Sequence, residues 1–239
     1  MKIENGKNND SNLSYEFNNE DSKVSIDRLF YGFKVILIGD IQVGKTSIFN
    51  QFIEQKFQKQ YGATLSVDFK VKSIFIDENT VADLQVWDTC GEERFKTITR
   101  QYYRDINGCF LIFDLTSVST FEGAEKWLAD IKEFGPENTI VLLVGNKADL
   151  VNQRKISYDD AKLFANNNGI DYIEVSALTG ENIKLIFEEL TKSMIKLNEF
   201  IEKKRKKEKK DRPVKANQKL SVEGASRITV TEGSNAKCC

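Results

Sequence analysis

Apolar residues in this chain follow two rhythms. Phe33-Lys34-Val35-Ile36-Leu37-Ile38 is a short, nearly continuous apolar run closed by Gly39, and similar runs recur at Leu84–Trp87, Cys109–Phe113 and Ile140–Val144. Runs this short predict strands buried on both faces. Elsewhere the apolar positions keep helical spacing. Phe121, Ala124, Trp127, Leu128 and Ile131 make one stripe, and Ile183, Ile186, Phe187, Leu190, Met194, Leu197 and Ile201 another, each the core face of an amphipathic helix. A further helix is predicted on Ile48, Phe49, Phe52 and Ile53. Strands alternating with helices predict an α/β fold, a mostly parallel central sheet with helices on both faces. One pair departs from this pattern. Val67, Phe69 and Val71 alternate with Asp68, Lys70 and Lys72, and Asp77-Glu78-Asn79-Thr80 supplies turn residues, so residues 66–88 are expected to add one antiparallel hairpin to the sheet.

The outer segments read differently. Residues 1–32 are Asn-rich with scattered acids and no persistent apolar period, and are expected to be a disordered extension. The globular part is expected at 33–201, followed by a flexible basic tail at 202–239 that ends in Cys238-Cys239. The whole chain of 239 residues has a net charge of -1, yet Lys203–Cys239 alone holds twelve basic and four acidic residues. A basic tail on an acidic body argues against a nucleic-acid reader, whose positive charge should coat the folded surface. The sequence contains no histidine, which excludes Ser-His-Asp and Cys-His machinery, His-ligated zinc and an imidazole general base. Of four cysteines, Cys90 and Cys109 lie in core-like segments and the other two end the chain, so no disulfide framework is expected and a cytosolic setting is. No run of about 18 apolar residues is present to span a membrane.

Candidate chemistry begins where the first strand exits. Gly39-Asp40-Ile41-Gln42-Val43-Gly44-Lys45-Thr46 holds two glycines four residues apart, then Lys and Thr, between a buried strand and a helix. Glycines let backbone N–H groups turn inward around phosphate oxygens, and the helix N-terminus adds its positive dipole. In such a loop Lys45 reaches the β- and γ-phosphates and the Thr46 hydroxyl ligates Mg²⁺. A second cluster, Asn146-Lys147-Ala148-Asp149, follows the strand at Ile140–Val144. An Asp carboxylate there accepts two hydrogen bonds from the N–H edge of guanine, a pair that adenine lacks, so the expected nucleotide is GTP or GDP rather than ATP.

Together with Thr64, Trp87-Asp88-Thr89-Cys90-Gly91-Glu92-Glu93-Arg94-Phe95 and Ser176-Ala177, these motifs resemble a Ras-superfamily small GTPase over roughly Phe33–Leu197. Val67-Asp68-Phe69, Tyr102-Tyr103-Arg104 and the Cys-Cys end are most similar to the Rab branch. The resemblance implies a GTP/GDP switch that hydrolyses GTP and recruits effectors in vesicle traffic. It implies that Thr46, Thr64 and Asp88 hold Mg²⁺, that Gly91 offers its backbone N–H to the γ-phosphate, and that Lys45, Gly91 and Glu92 serve catalysis. Nucleotide contacts are expected from Gly39 through Ser47, Phe57, Tyr61, Asn146, Lys147, Asp149, Ser176, Ala177 and Leu178; for Phe57 a plain helix-end anchor is the alternative. Phe69, Trp87 and Tyr102 match a surface triad read by effectors, although aromatics in strands are ordinarily core. Cys238 and Cys239 match the sites of two geranylgeranyl chains, which would anchor the protein to the cytoplasmic face of a membrane, exchanging with cytosol. The basic stretch before them either attracts an anionic leaflet or is a solvated spacer. An exchange factor, an activating protein, a GDP-dissociation inhibitor and effectors are the partners implied.

Four positions depart from the family pattern: Glu92 for Gln, Ile41 for a small residue, Cys90 for Ala and Leu178 for Lys. The last two are expected to affect only local packing. A carboxylate at 92 accepts a hydrogen bond from water but cannot donate to a phosphoryl oxygen, and its charge faces another. These effects oppose each other, and Ile41 is bulky enough to crowd water beside the γ-phosphate; on Glu92 and Ile41 together rests the alternative, a GTP-binding recruitment module with little hydrolysis. An ATP-using P-loop kinase is the second rival, opposed by Asn146, Lys147 and Asp149.

Overall fold

The structure is a computed structural model that describes residues 28–57, 68–89 and 101–210. Six strands form one sheet: β1 (Leu29–Ile38), β2 (Asp68–Phe75), β3 (Thr80–Asp88), β4 (Gly108–Asp114), β5 (Ile140–Asn146) and β6 (Asp171–Glu174), in the spatial order β2-β3-β1-β4-β5-β6. All neighbours are parallel except β2 and β3, which pair antiparallel with Phe69 opposite Trp87. The hairpin expected at 66–88 is thus present over its described residues. Among the described residues the layers are completed by helices α1 (Lys45–Glu54), α2 (Val118–Phe134), α3 (Tyr158–Asn168) and α4 (Ile183–Lys210).

Alternation along β1 splits the core in two. Val35 and Leu37 point into one cluster with Phe49 and Phe52 of α1 and Phe187 and Leu190 of α4, whereas Ile36 and Ile38 point into another with Trp127 and Leu128 of α2 and Ala161 and Ala165 of α3. Phe187 lies flat on Phe52 and edge-on to Phe110, joining α1, α4 and the sheet. Helices therefore cover both faces, as the double burial of the strands requires.

The chain divides into two units, Met1–Ile201 and Glu202–Cys239. One expected boundary moves. Strand β1 begins at Leu29 rather than after residue 32, because Leu29-Phe30-Tyr31 is a β-forming run that pairs with Thr80-Val81-Ala82; the rest of the Asn-rich extension lies outside the described residues. Helix α4 runs on to Lys210, so the first residues of the tail expected from 202 are helical. Lys, Arg and Glu are good helix formers, and Glu202 pairs with Arg205 one turn on at 3.2 Å.

Candidate guanine-nucleotide site

Every parallel strand ends at the same rim of the sheet, and β1 sits where the strand order reverses, the place where open α/β sheets hold ligands. The loop after β1 turns there. Gly39 (φ +143°), Gln42 (φ +64°) and Gly44 (φ +94°) adopt left-handed backbone, the form in which successive N–H groups line an anion-binding concavity at the start of α1. Lys45 is buried, and its ammonium donates to the carbonyls of Gly39 (3.0 Å) and Asp40 (2.8 Å), which holds the charge inside the loop. Asp40 itself is tied to α2, since Trp127 Nε1 donates to its Oδ1 at 2.7 Å.

Beside the cradle, Thr46 Oγ1 donates to Asp88 Oδ2 at 2.6 Å. Asp88 is buried, and burial pushes its carboxyl up to about 6, against the Thr46 hydrogen bond and the Lys45 charge. Its other oxygen, Oδ1, is buried with no hydrogen-bond partner among the described residues. A buried, unpartnered carboxylate oxygen next to a hydroxyl is a hard, all-oxygen donor set, which fits Mg²⁺.

Opposite the cradle, two loops are stitched to it and to each other. Asn146 is buried; its amide donates to Val43 O (2.8 Å) and its Oδ1 accepts from Ala177 N (3.2 Å), so one side chain spans the phosphate loop and the loop after β6. Ser176 Oγ donates to Asp149 Oδ1 at 2.6 Å and accepts from Thr179 N at 3.1 Å. Lys147 has left-handed backbone (φ +68°), and its ammonium pairs with Asp114 Oδ2 at 2.6 Å. With the ammonium engaged, the Lys147 stem is the part offered to a ring. Ile41 and Leu178 are both 46% exposed, Phe57 is 36% exposed, and Ser47 sits in the first turn of α1.

Sequence reasoning gave no site role to three members of this arrangement. Asp114, at the end of β4, orients Lys147 and is itself held by Thr116 N (2.8 Å) and Thr116 Oγ1 (2.7 Å). Trp127, a core residue by its helical spacing, also holds Asp40, and Thr89 donates to Leu37 O at 2.7 Å, fixing the exit of β3 against β1. The available signal was Asp114-Leu115-Thr116 after a buried strand, the spacing of an Asp that caps its own turn. Tyr61, Thr64, Cys90, Gly91, Glu92, Cys238 and Cys239 lie outside the described residues. Phe69, Trp87 and Tyr102 form one aromatic row, with ring centroids 4.7 Å and 5.5 Å apart. Phe69 is 51% exposed, while Trp87 and Tyr102 are half-buried against the α2-side core.

A strand, an inward-turned glycine loop with a buried lysine, and a carboxylate–hydroxyl pair beside it define a P-loop nucleotide-binding domain. The sequence model of the Ras family matches residues 34–196. Over 165 residues the chain is 42% identical to the "Ras-related protein Rab-1" of Theileria parva, an alignment covering 69% of this chain and 74% of the relative. It is 40% identical over 167 residues to the "Ras-related protein Rab11A" of Lotus japonicus, covering 70% and 72%. The chain belongs to the Ras family and is a Rab-like small GTPase, binding GTP and GDP and hydrolysing GTP. Nothing in these relationships favours the non-hydrolysing alternative.

Proposed function

We propose that this GTPase is a Mg²⁺-dependent, lipid-anchored switch that recruits effectors at the cytoplasmic face of an intracellular or plasma membrane during vesicle traffic. The observation that supports this most is the convergence of the Lys45 loop, the Thr46–Asp88 pair and the Asn146–Asp149 and Ser176–Ala177 loops on one rim of the sheet. Asp149 accepts from the guanine edge and Ala177 N donates to the guanine oxygen, with the Lys147 stem on the ring face. Lys45 neutralises the β- and γ-phosphates. Thr46 and Asp88 hold Mg²⁺, joined by Thr64; bound there, the ion screens charge on the phosphate oxygens. Gly91 N–H and Thr64 tie two loops to the γ-phosphate, so its departure releases both. The row Phe69, Trp87 and Tyr102 is the effector contact. An exchange factor and an activating protein drive the cycle, and a GDP-dissociation inhibitor shields the geranylgeranyl chains on Cys238 and Cys239 in the cytosol. No helix among the described residues is long and apolar enough to cross a membrane.

Two measurements test this reading. A tagged full-length chain sediments with membranes, and the same chain lacking Cys238 and Cys239 stays in the supernatant; equal partition of the two rules out the lipid anchor. At position 92, an amide accepts from water and also donates to a phosphoryl oxygen, which the native carboxylate cannot do. Single-turnover hydrolysis by Glu92→Gln is therefore expected to exceed that of the unmodified protein by about 10²-fold, the lower end of the scale of one transition-state donor. An unchanged rate removes residue 92 from catalysis.

A further inference from the structure

One open edge of the sheet carries an exposed apolar face. Strand β2 is first in the strand order and, among the described residues, pairs only with β3. Ile76 N donates to Thr80 O at 3.0 Å, and the register continues from that pair to Ile74 opposite Ala82 and Lys72 opposite Leu84. Hydrogen bonding alternates along an antiparallel ladder, so the N–H and C=O groups of Phe69, Val71, Ser73 and Phe75 point away from β3. The side chains of these four residues share one face of the strand. Three of them are large, apolar and exposed: Phe69, Val71 at 58% and Phe75 at 67%. Lys70 and Lys72, the charges that could guard the edge, lie on the opposite face, where Lys70 pairs with Glu54 at 2.9 Å and Lys72 donates to Phe52 O.

An edge of this kind is a template for another strand, and the chain itself brings one close. Leu29 N donates to Asn79 O at 2.7 Å, so the residues that precede β1 enter the sheet at the β2–β3 turn, one row beyond Phe75. Among them Leu13-Ser14-Tyr15-Glu16-Phe17 alternates apolar and polar, which matches Val71–Phe75 in length and period. Five residues hold no strand by themselves; on an existing edge the ladder is already half built. Laid antiparallel, the segment sets Leu13 opposite Phe75, Tyr15 opposite Ser73 and Phe17 opposite Val71, all on the exposed face. Glu16 then stands opposite Lys72, whose ammonium otherwise meets the carbonyl and ring of Phe52. Strand rise and spacing place the end of such a strand roughly 22 Å from Leu29. Residues 18–28 reach about 36 Å when extended, so the connection closes with slack.

We propose that Leu13–Phe17 docks along the free edge of β2 as an added antiparallel strand, making the N-terminal extension the tethered occupant of the exposed face at Val71–Phe75. Tethering makes the association intramolecular, so a weak strand pairing is driven by effective concentration rather than by intrinsic affinity. The added strand stops short of Phe69 and borders the aromatic row Phe69, Trp87 and Tyr102.

The test uses the full chain loaded with GDP and follows amide hydrogen exchange residue by residue. In the unmodified protein the outward amides of Val71, Ser73 and Phe75 are expected to exchange about tenfold more slowly than in the double variant Tyr15→Asp/Phe17→Asp, the protection of a strand docked about nine-tenths of the time. The amides of Lys72 and Ile74, which face β3, are expected to match in the two proteins. Asn18→Asp/Asn19→Asp adds the same charge just outside the strand and is expected to keep the protection. Equal exchange of the three outward amides in the unmodified protein and in Tyr15→Asp/Phe17→Asp overturns the proposal. So does a loss that spreads equally to Lys72 and Ile74, which marks a weakened hairpin, or one that Asn18→Asp/Asn19→Asp reproduces, which marks a charge effect. Protection that fades on dilution as the particle mass falls from dimer to monomer assigns the edge to a second copy of the chain, and the proposal fails.

Discussion

Asp149→Ala is expected to bind GTP about 10³-fold more weakly than the unmodified protein and to lose its preference for GTP over ITP, while its melting temperature changes little. The carboxylate is assigned two charge-assisted hydrogen bonds from guanine at about 2 kcal/mol each, and 1.4 kcal/mol is tenfold in affinity. Asp149 is half-buried and belongs to neither core cluster, so its removal leaves the packing intact. Its bond from Ser176 Oγ is lost as well, but that hydroxyl still accepts from Thr179 N. Calorimetric titration with each nucleotide in magnesium gives both numbers. Retention of more than a tenth of the GTP affinity together with the GTP-over-ITP preference would remove Asp149 from base recognition. The loss of preference is the more diagnostic result, because ITP lacks the 2-amino group that the carboxylate accepts from, so weakened phosphate contacts alone would leave the ratio unchanged.

What was legible in the sequence follows the range over which each constraint acts. Strands β4 and β5, and β1 from Val35 onward, are buried on both faces, so their composition alone marks them, while β3 exposes Asp83 and Gln85 on one face and is marked by its alternation. Helix α3 escaped because only Ala161 and Ala165 of its eleven residues are buried, leaving almost no stripe. Its boundaries are set instead by caps: Ser157 Oγ accepts from Asp160 N, and Gly169 closes the helix at φ +67°. Strand β6 is four residues with one buried side chain, too short to show a period. The same distinction runs through the site. The phosphate loop and the Asn146–Asp149 cluster are contiguous, so the chemistry fixes residue types at fixed spacing. Trp127 touches Asp40 across 87 positions, and only the fold brings those partners together.

Gly39→Ala is expected to be the most damaging added methyl among the described glycines, lowering stability by about 4 kcal/mol and the melting temperature by about 10 °C. Gly39 stands at φ +143°, a region closed to residues with a Cβ, and an added Cβ would lie 2.1 Å from the carbonyl oxygen of Ile112. That oxygen belongs to the backbone of β4, held between β1 and β5, so relief requires parting two central strands. At Gly44 an added Cβ would also be too close, 2.3 Å from Asn146 Nδ2, but there the obstacle is a side chain. Gly169 is the internal control: its φ is +67° and nothing lies within 4 Å of an added Cβ, so Gly169→Ala isolates the left-handed backbone cost of about 1 kcal/mol. Denaturant melts of the two variants show how far Gly39→Ala exceeds the cost of an unobstructed left-handed position. A Gly39→Ala penalty no larger than that of Gly169→Ala would mean that the strand end yields to the methyl. The phosphate cradle would then be a pliable turn rather than one fixed by its contact with β4. If the penalty is as large as expected, nucleotide affinity in the surviving folded fraction also falls, because the Gly39 carbonyl that would be displaced is one of the two that hold the Lys45 ammonium.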